Sequence, residues 1–505
     1  MKRKLTPFAA VVLLTLPVGI LNAFCSEVWV DNLVGNDSDS GSQTAPFRSV
    51  ARAVRDLKPG MTLHLHPTSK PYPADIRIEV SGTSELPIVI DGHGSLVSGM
   101  CRLPSAQWKA EGGDVFSRPL PNNAWGMAHY WEGGFELVRF AGKPGRNVTS
   151  RDALEPGTYF LYKNQKELKT DTRHNTLFIR LPAGKTPDDE VVECIAASGG
   201  VYVGGSFVTV RNLICEFAGD DGFATVRCKG VVFENVESRF NMDQGMSHHG
   251  SEVVVRNGFF HHNAGCGIVD VYPEAKIRYE HCLIESDTWR GGVEFLHGDF
   301  EMVDCVIRAN PKKALKVTKG AHVTLRNCLM IAPEIGATTG LSFDDGKLEV
   351  SNCTFYGFAV GLDARVSSTN RIEISHCAWL RCKLNSRIQN SMETQIITSN
   401  RLHFAGNYYE PAPWEAFISQ PSTGGGKQPS CRIFTAKEHA GFATQVGTDV
   451  DAMIASLDAA TDPLSLPALH TVAGDSVGAK IPQPFIVGVT NRLDSNRKAS
   501  SGEKL

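Results

Sequence analysis

The chain has no strong surplus of charge of either sign. Its 51 Lys and Arg stand against 54 Asp and Glu over 505 residues. Without the three basic residues of its first segment the balance is 48 against 54, which speaks against a nucleic-acid partner. Beyond residue 21 no run is long and apolar enough to span a membrane. The 16 histidines never take a tight metal-binding spacing such as HExxH. Nor is the chain poor in core formers: 42% hydrophobic and 8% aromatic residues exclude gross disorder.

What is present starts at the N-terminus. Met1, Lys2, Arg3 and Lys4 precede an apolar run from Leu5 to Leu21, with small residues near Ala23. This is the pattern of a secretory signal peptide cleaved after Ala23 or Cys25, so the expected protein is secreted or periplasmic. Thirteen cysteines in an exported chain raise the question of disulfides.

The most informative feature is a ladder. Asn212, Asn235, Asn257, His281, Asp304, Asn327, Asn352 and His376 each stand one place before the end of a short strand-like phrase (VRNL, FENV, LRNC, VSNC), at steps of 23, 22, 24, 23, 23, 25 and 24 residues. A period of that length built from short strands predicts a stacked β-solenoid. A polar residue that tolerates the left-handed region suits one tight turn per coil, and its side chain can bond along the axis. The residue after it should point inward. Cys282, Cys305, Cys328, Cys353 and Cys377 therefore form a predicted column of buried, reduced thiols acting as small apolar residues. Cys101, Cys194, Cys228, Cys266, Cys382 and Cys431 remain open for pairing.

Strands are predicted at Val28–Asp31, Met61–Leu65, Ile76–Val80 and Pro87–Ile90, with a short helix from Ser49, as N-cap, to Leu57. This order resembles the N-terminal cap of secreted right-handed parallel β-helix proteins of the pectin-lyase-like superfamily. The resemblance implies an all-β right-handed solenoid with its open end plugged by the helix. The expected organisation is a signal peptide at 1–25, cap and first coils at 26–99 and an inserted β-rich subdomain at 100–197. Regular coils follow at 198–383, then an irregular coil, cap and tail at 384–505. A monomer is expected.

The coils align on a glycine that opens one strand of each: DDGFATV, DQGMSHH, GCGIVDV, RGGVEFL, KKALKVT, TTGLSFD and AVGLDAR. The residue after that glycine faces the core; the next faces solvent. The outward column then holds Ala224, Ser247, Val269, Glu294, Lys316, Ser342 and Asp363, with His249 two places beyond Ser247. Thr225, His248 and Asp270 share an inward column that reads as a structural hydrogen-bonded chain. Asp220, Asp221 and Asp243 cluster on the early coils, where they either cap turns or do chemistry. Arg290, Lys312, Lys313 and Lys316 supply cations further along. His261 and His262 fall on a third strand, where surface positions are expected.

The pair DDGFA and DQGMS resembles calcium-dependent pectate lyases, whose pattern is ADGFA followed one coil later by DDGWD. The resemblance implies a Ca2+ site at Asp220, Asp221 and Asp243. Gln244 and Ser247 stand where that family has further aspartates, and GCGIV lacks its lysine. The order Asp221, Asp243, GCGI and ALKVTK also resembles polygalacturonases, with Cys266 in place of their histidine. The expected function is depolymerisation of an acidic polysaccharide by β-elimination, with Lys316 or His249 as base and Arg290, Lys312, Lys313 and Glu294 binding substrate. Hydrolysis by an Asp221/Asp243 pair and a non-catalytic carbohydrate-binding solenoid are the alternatives.

Overall fold

The computed structural model describes residues 27–119, 137–162, 176–285, 291–309, 313–367, 369–390, 401–418, 430–446, 449, 451–456, 469–470 and 475–480. The signal-peptide segment, Arg290 and Lys312 lie outside the described residues.

Each regular coil contributes three strand segments, which distribute over two sheets rather than three. A 12-stranded sheet, the first sheet below, runs from Ile76–Ile78 through Val201–Val203, Phe223–Val226, Met246–His249, Cys266–Val271, Gly291–Leu296 and Lys313–Thr318 to Ser430–Phe434. All its pairings are parallel except the last. The other two segments of each coil belong to one 21-stranded sheet. They merge because Val208–Glu216 and Val231–Arg239 continue as strand through the kink.

That kink is the predicted ladder. All eight of its residues have positive φ, from 51° to 54°, the left-handed region that Asn and Asp enter most readily. Asn235 Nδ2 donates to Asn212 Oδ1 at 3.2 Å, and Asn257 Nδ2 donates to Asn235 Oδ1 at 3.1 Å. Asn212 Nδ2 donates in turn to Asp91 Oδ1 at 3.0 Å, one coil earlier. The amide chain is not continuous over the later coils: His281 and Asp304 interrupt it, and Asn327 donates to Asp304. The thiol column is as expected. Cys282, Cys305, Cys328, Cys353 and Cys377 are fully buried and free.

At Gly222 the glycine that opens a coil of the first sheet is required by packing, not by its dihedrals; Ala314 stands at the equivalent position of a later coil. A Cβ on Gly222 would lie 2.0 Å from Ser238 Oγ and 3.0 Å from the Gly245 carbonyl of the next coil. At the chain's start the helix is shorter than expected, Val50–Val54, with Ser49 Oγ accepting from Arg52 N–H. It buries Val50, Ala53 and Val54 in the core shared with the first strands.

Between 100 and 195 the described residues leave the solenoid and form a four-stranded and a five-stranded sheet. Their apolar core includes Trp108, Leu137, Tyr159 and Ile179, and takes in Phe217 and Met242 from the solenoid. Those two residues stand next to the aspartates of the early coils, so this segment docks beside them. Trp125 and Trp131 lie outside the described residues. No helix among the described residues is long and apolar enough to cross a membrane.

Candidate functional site

Strand alternation holds for the inward column, but the outward one is not uniformly solvent-facing: Ser247, Val269 and Ser342 are buried. Phe223, Met246, Ile268, Val293, Leu315, Leu341 and Leu362 are buried. The outward column is in strict register: Ala224, Ser247, Val269, Glu294, Lys316, Ser342 and Asp363 pair on successive coils.

Asp220, Asp221 and Asp243 converge at the start of this face. Each offers an oxygen, and the three oxygens lie within 4.8 Å of one another. Asp221 Oδ1 accepts from the Gln244 N–H at 3.1 Å. Asp221 and Asp243 are only 8% and 4% exposed. Burial, then the negative charges of Asp220 and Asp243, push the Asp221 carboxyl well above the usual carboxylate range. The absence of a side chain at Gly265 makes room for this cluster, since a Cβ there would lie 2.4 Å from Asp243 Oδ1.

A hard cation with oxygen ligands at about 2.4 Å spans carboxylates of this separation, and its charge would remove the repulsion that lifts Asp221. Three carboxylates satisfy the donor type. The remaining oxygens of a six- to eight-coordinate calcium would have to come from backbone, substrate or water.

Ser247 links the cluster to His249. Its hydroxyl lies against the Asp221 carboxylate, and its oxygen is 2.9 Å from His249 Nε2. Burial lowers the His249 pKa, so the imidazole is neutral at neutral pH and can accept a proton. Directly behind, Thr225 Oγ1 is 2.8 Å from His248 Nδ1. The His248 backbone N–H donates to Asp270 Oδ1 at 3.1 Å, and the Tyr279 hydroxyl donates to Asp270 Oδ2 at 2.6 Å. All four side chains are buried, so this chain fixes the strand that carries Ser247 and His249.

Lys316 does not join the aspartates. Three register steps separate it from Ser247, about 14 Å at roughly 4.8 Å per coil. Glu294 is its register partner, but no ion pair joins the two; Lys313 Nζ donates instead to Ser342 Oγ at 3.3 Å. Asp220, Asp221, Asp243 and His249 thus make one centre, and Glu294, Lys313 and Lys316 a second patch along the same face. Cys266 is buried. His261 departs from the surface position expected of it. It is 1% exposed, stacked on Phe259 at 4.0 Å, with Nε2 at 3.2 Å from Glu237.

Two residues escaped the sequence reading. Arg77 and Tyr202 precede Ala224 in the same outward column. With Asp220 and Asp221 they line a cleft of about 260 Å³, and the Arg77 guanidinium lies 5.3 Å from the Tyr202 ring centre. The signal was present: GGVYV aligns with DGFAT, Tyr202 falling where Ala224 does. The hundred-residue insertion between Ile78 and Val201 hid that coil from the periodicity.

Comparison with known proteins agrees on the architecture. The family described as "Right handed beta helix region" matches residues 191–330. No curated protein matches. Among solved structures, the XylC–xylose complex is 11% identical with a TM-score of 0.47, over 76% of this chain and 83% of that one. Pectate lyase Pel9A is 13% identical with a TM-score of 0.42, over 73% and 79%. An alginate lyase from Paenibacillus sp. str. FPU-7 is 12% identical with a TM-score of 0.35, over 68% and 96%. With its one-kink-per-coil ladder and its parallel sheets, the chain folds as a parallel β-helix, and it is its residues 191–330 that match the right-handed β-helix family.

Proposed function

We propose that the protein is an exported enzyme that cleaves an acidic, uronate-containing polysaccharide by β-elimination on the outer face of the first sheet. The observation that carries this reading is the convergence of three carboxylates with a neutral histidine one serine away, beside a cleft that adds an arginine and a tyrosine. Arg77 is suited to pair with a uronate carboxylate, and Tyr202 offers an aromatic face to a sugar ring. Equivalent residues on adjacent coils are about 5 Å apart, close to the length of one sugar unit. Glu294, Lys313 and Lys316, with Arg290 and Lys312 near them in sequence, would then meet units further along the chain.

In this reading Asp220, Asp221 and Asp243 hold a calcium ion, which when bound supplies charge neutralisation of the substrate carboxylate. His249 takes the proton from the sugar C5, with Ser247 orienting its ring through Nε2. The C4=C5 double bond forms as the C4–O bond breaks, and the leaving oxygen takes a proton from water. Lys316 lies too far along the face to be the base in the same step. It holds a neighbouring carboxylate.

A hydrolase is the second reading, favoured by the raised pKa of Asp221, which suits a general acid. A panel of uronate and neutral glycans distinguishes the two. New ultraviolet absorbance from an unsaturated sugar, abolished by a calcium chelator, supports elimination. Reducing ends without that absorbance overturn it in favour of hydrolysis, and binding without cleavage overturns both.

A further inference from the structure

A second cluster stands on the other sheet. Trp29, His64 and Asp91 are register partners on three successive early coils. His93 follows Asp91 at a left-handed backbone position, φ 49°. His64 Nδ1 is 2.8 Å from His93 Nε2. One potential ligand atom from each of His64, Asp91 and His93 lies within 4.8 Å of the others. The Trp29 ring stacks on His64 at 4.3 Å and 17°.

We propose that His64, His93 and Asp91 form a binding site for a divalent transition metal of the zinc class, separate from the aspartate centre. Two imidazole nitrogens and one carboxylate oxygen are a zinc-type donor set and a poor one for calcium. The carboxylate is already oriented, because Asp91 Oδ2 accepts from Arg211 Nε at 2.7 Å and Oδ1 from Asn212 Nδ2 at 3.0 Å. Such outer hydrogen bonds are what hold a ligating carboxylate in place. His64 Nε2 is buried with no hydrogen-bond partner, and Glu27 Oε1 is 3.9 Å away. The charged groups around the cluster are Asp91, Glu27 and Arg211, one more negative than positive, so a cation is favoured. His93 is exposed, which leaves a further coordination position open to water. A metal here would clasp the strands at Thr62–Leu65 and Ile88–Ser98, tying two of the first coils together.

The test is equilibrium dialysis of the full mature chain against Zn2+, followed by elemental analysis, for wild type, His93→Asn, His64→Gln and Asp243→Asn. Asn tolerates the left-handed backbone at position 93, so that variant should fold, as circular dichroism would verify. The expected result is one zinc per chain in wild type and Asp243→Asn, with affinity at least about tenfold weaker in both histidine variants. Co2+ in place of zinc should give a visible absorption band that His93→Asn loses. Equal zinc uptake by wild type and His93→Asn overturns the proposal, as does loss of uptake in Asp243→Asn alone.

Discussion

Replacing Asp270 by Asn should change how the stability of this protein depends on pH. Asp270 is completely buried, and burial pushes its carboxyl up to about 8 from an ordinary value of 3.8. A carboxyl raised in the folded state contributes stability that is fully present below 3.8 and is lost as pH rises to 8. At about 1.36 kcal/mol per pH unit the whole swing is on the order of 5 kcal/mol. His248 behind it works in the opposite sense. Burial lowers it to about 3 from 6.5, so its contribution is present above 6.5 and lost as pH falls toward 3. Between 3.8 and 6.5 these two slopes cancel each other. Above 6.5 only Asp270 of the two still acts, and its contribution should fall by about 2 kcal/mol up to pH 8. In Asp270→Asn that fall disappears. The amide oxygen keeps the bond from the His248 N–H, and the amide nitrogen donates to Tyr279, whose hydroxyl turns from donor to acceptor. Urea midpoints for both proteins from about pH 4 to pH 9 give the answer. Parallel curves between 6.5 and 8 would refute the account of this buried chain.

Further consequences concern the ladder, the thiols and the cleft. Asn235→Leu removes two inter-coil hydrogen bonds and forces Leu to φ 52°; it should cost roughly 1–3 kcal/mol in a denaturation experiment, and an unchanged midpoint would contradict the ladder's role. Thiol titration in denaturant should find the five cysteines from Cys282 to Cys377 free, whereas a mapped link between Cys305 and Cys328 would contradict the buried column. Arg77→Ala should raise KM for a uronate substrate by about tenfold with little change in kcat, the signature of a lost charge-assisted contact; an unchanged KM removes Arg77 from the substrate path.

The solenoid was legible because its constraint repeats. One left-handed turn and one inward small residue per coil recur at nearly fixed spacing, so Asn235 or Cys328 is readable from its place in the series. Register followed from the same series, and with it the column shared by Ser247 and Lys316, though Ser247 proved buried. Convergence in space was harder to read. The period counts coils but carries no sense of which long side chains meet, and Lys316 looked nearer the aspartates than three coils allow. Arg77 and Tyr202 were hidden because an insertion separates their coils in sequence while parallel pairing joins them. His261 looked like a surface residue because strand alternation takes no account of Phe259 and Glu237, which cover it. The cluster at His64 was invisible for a related reason: its members lie 29 residues apart, outside any local metal-binding spacing.

The most direct test of the proposed centre is the turnover of Asp243→Asn on a uronate polymer that the wild type cleaves. The exchange removes a charge from the middle of the aspartate cluster with almost no change in volume, so the fold should persist, as an unchanged circular dichroism spectrum would show. The account predicts a loss of turnover on the order of 100-fold or more, together with loss of the chelator-sensitive calcium response. Full turnover in the folded variant would contradict it and move the chemistry away from Asp220, Asp221, Asp243 and His249.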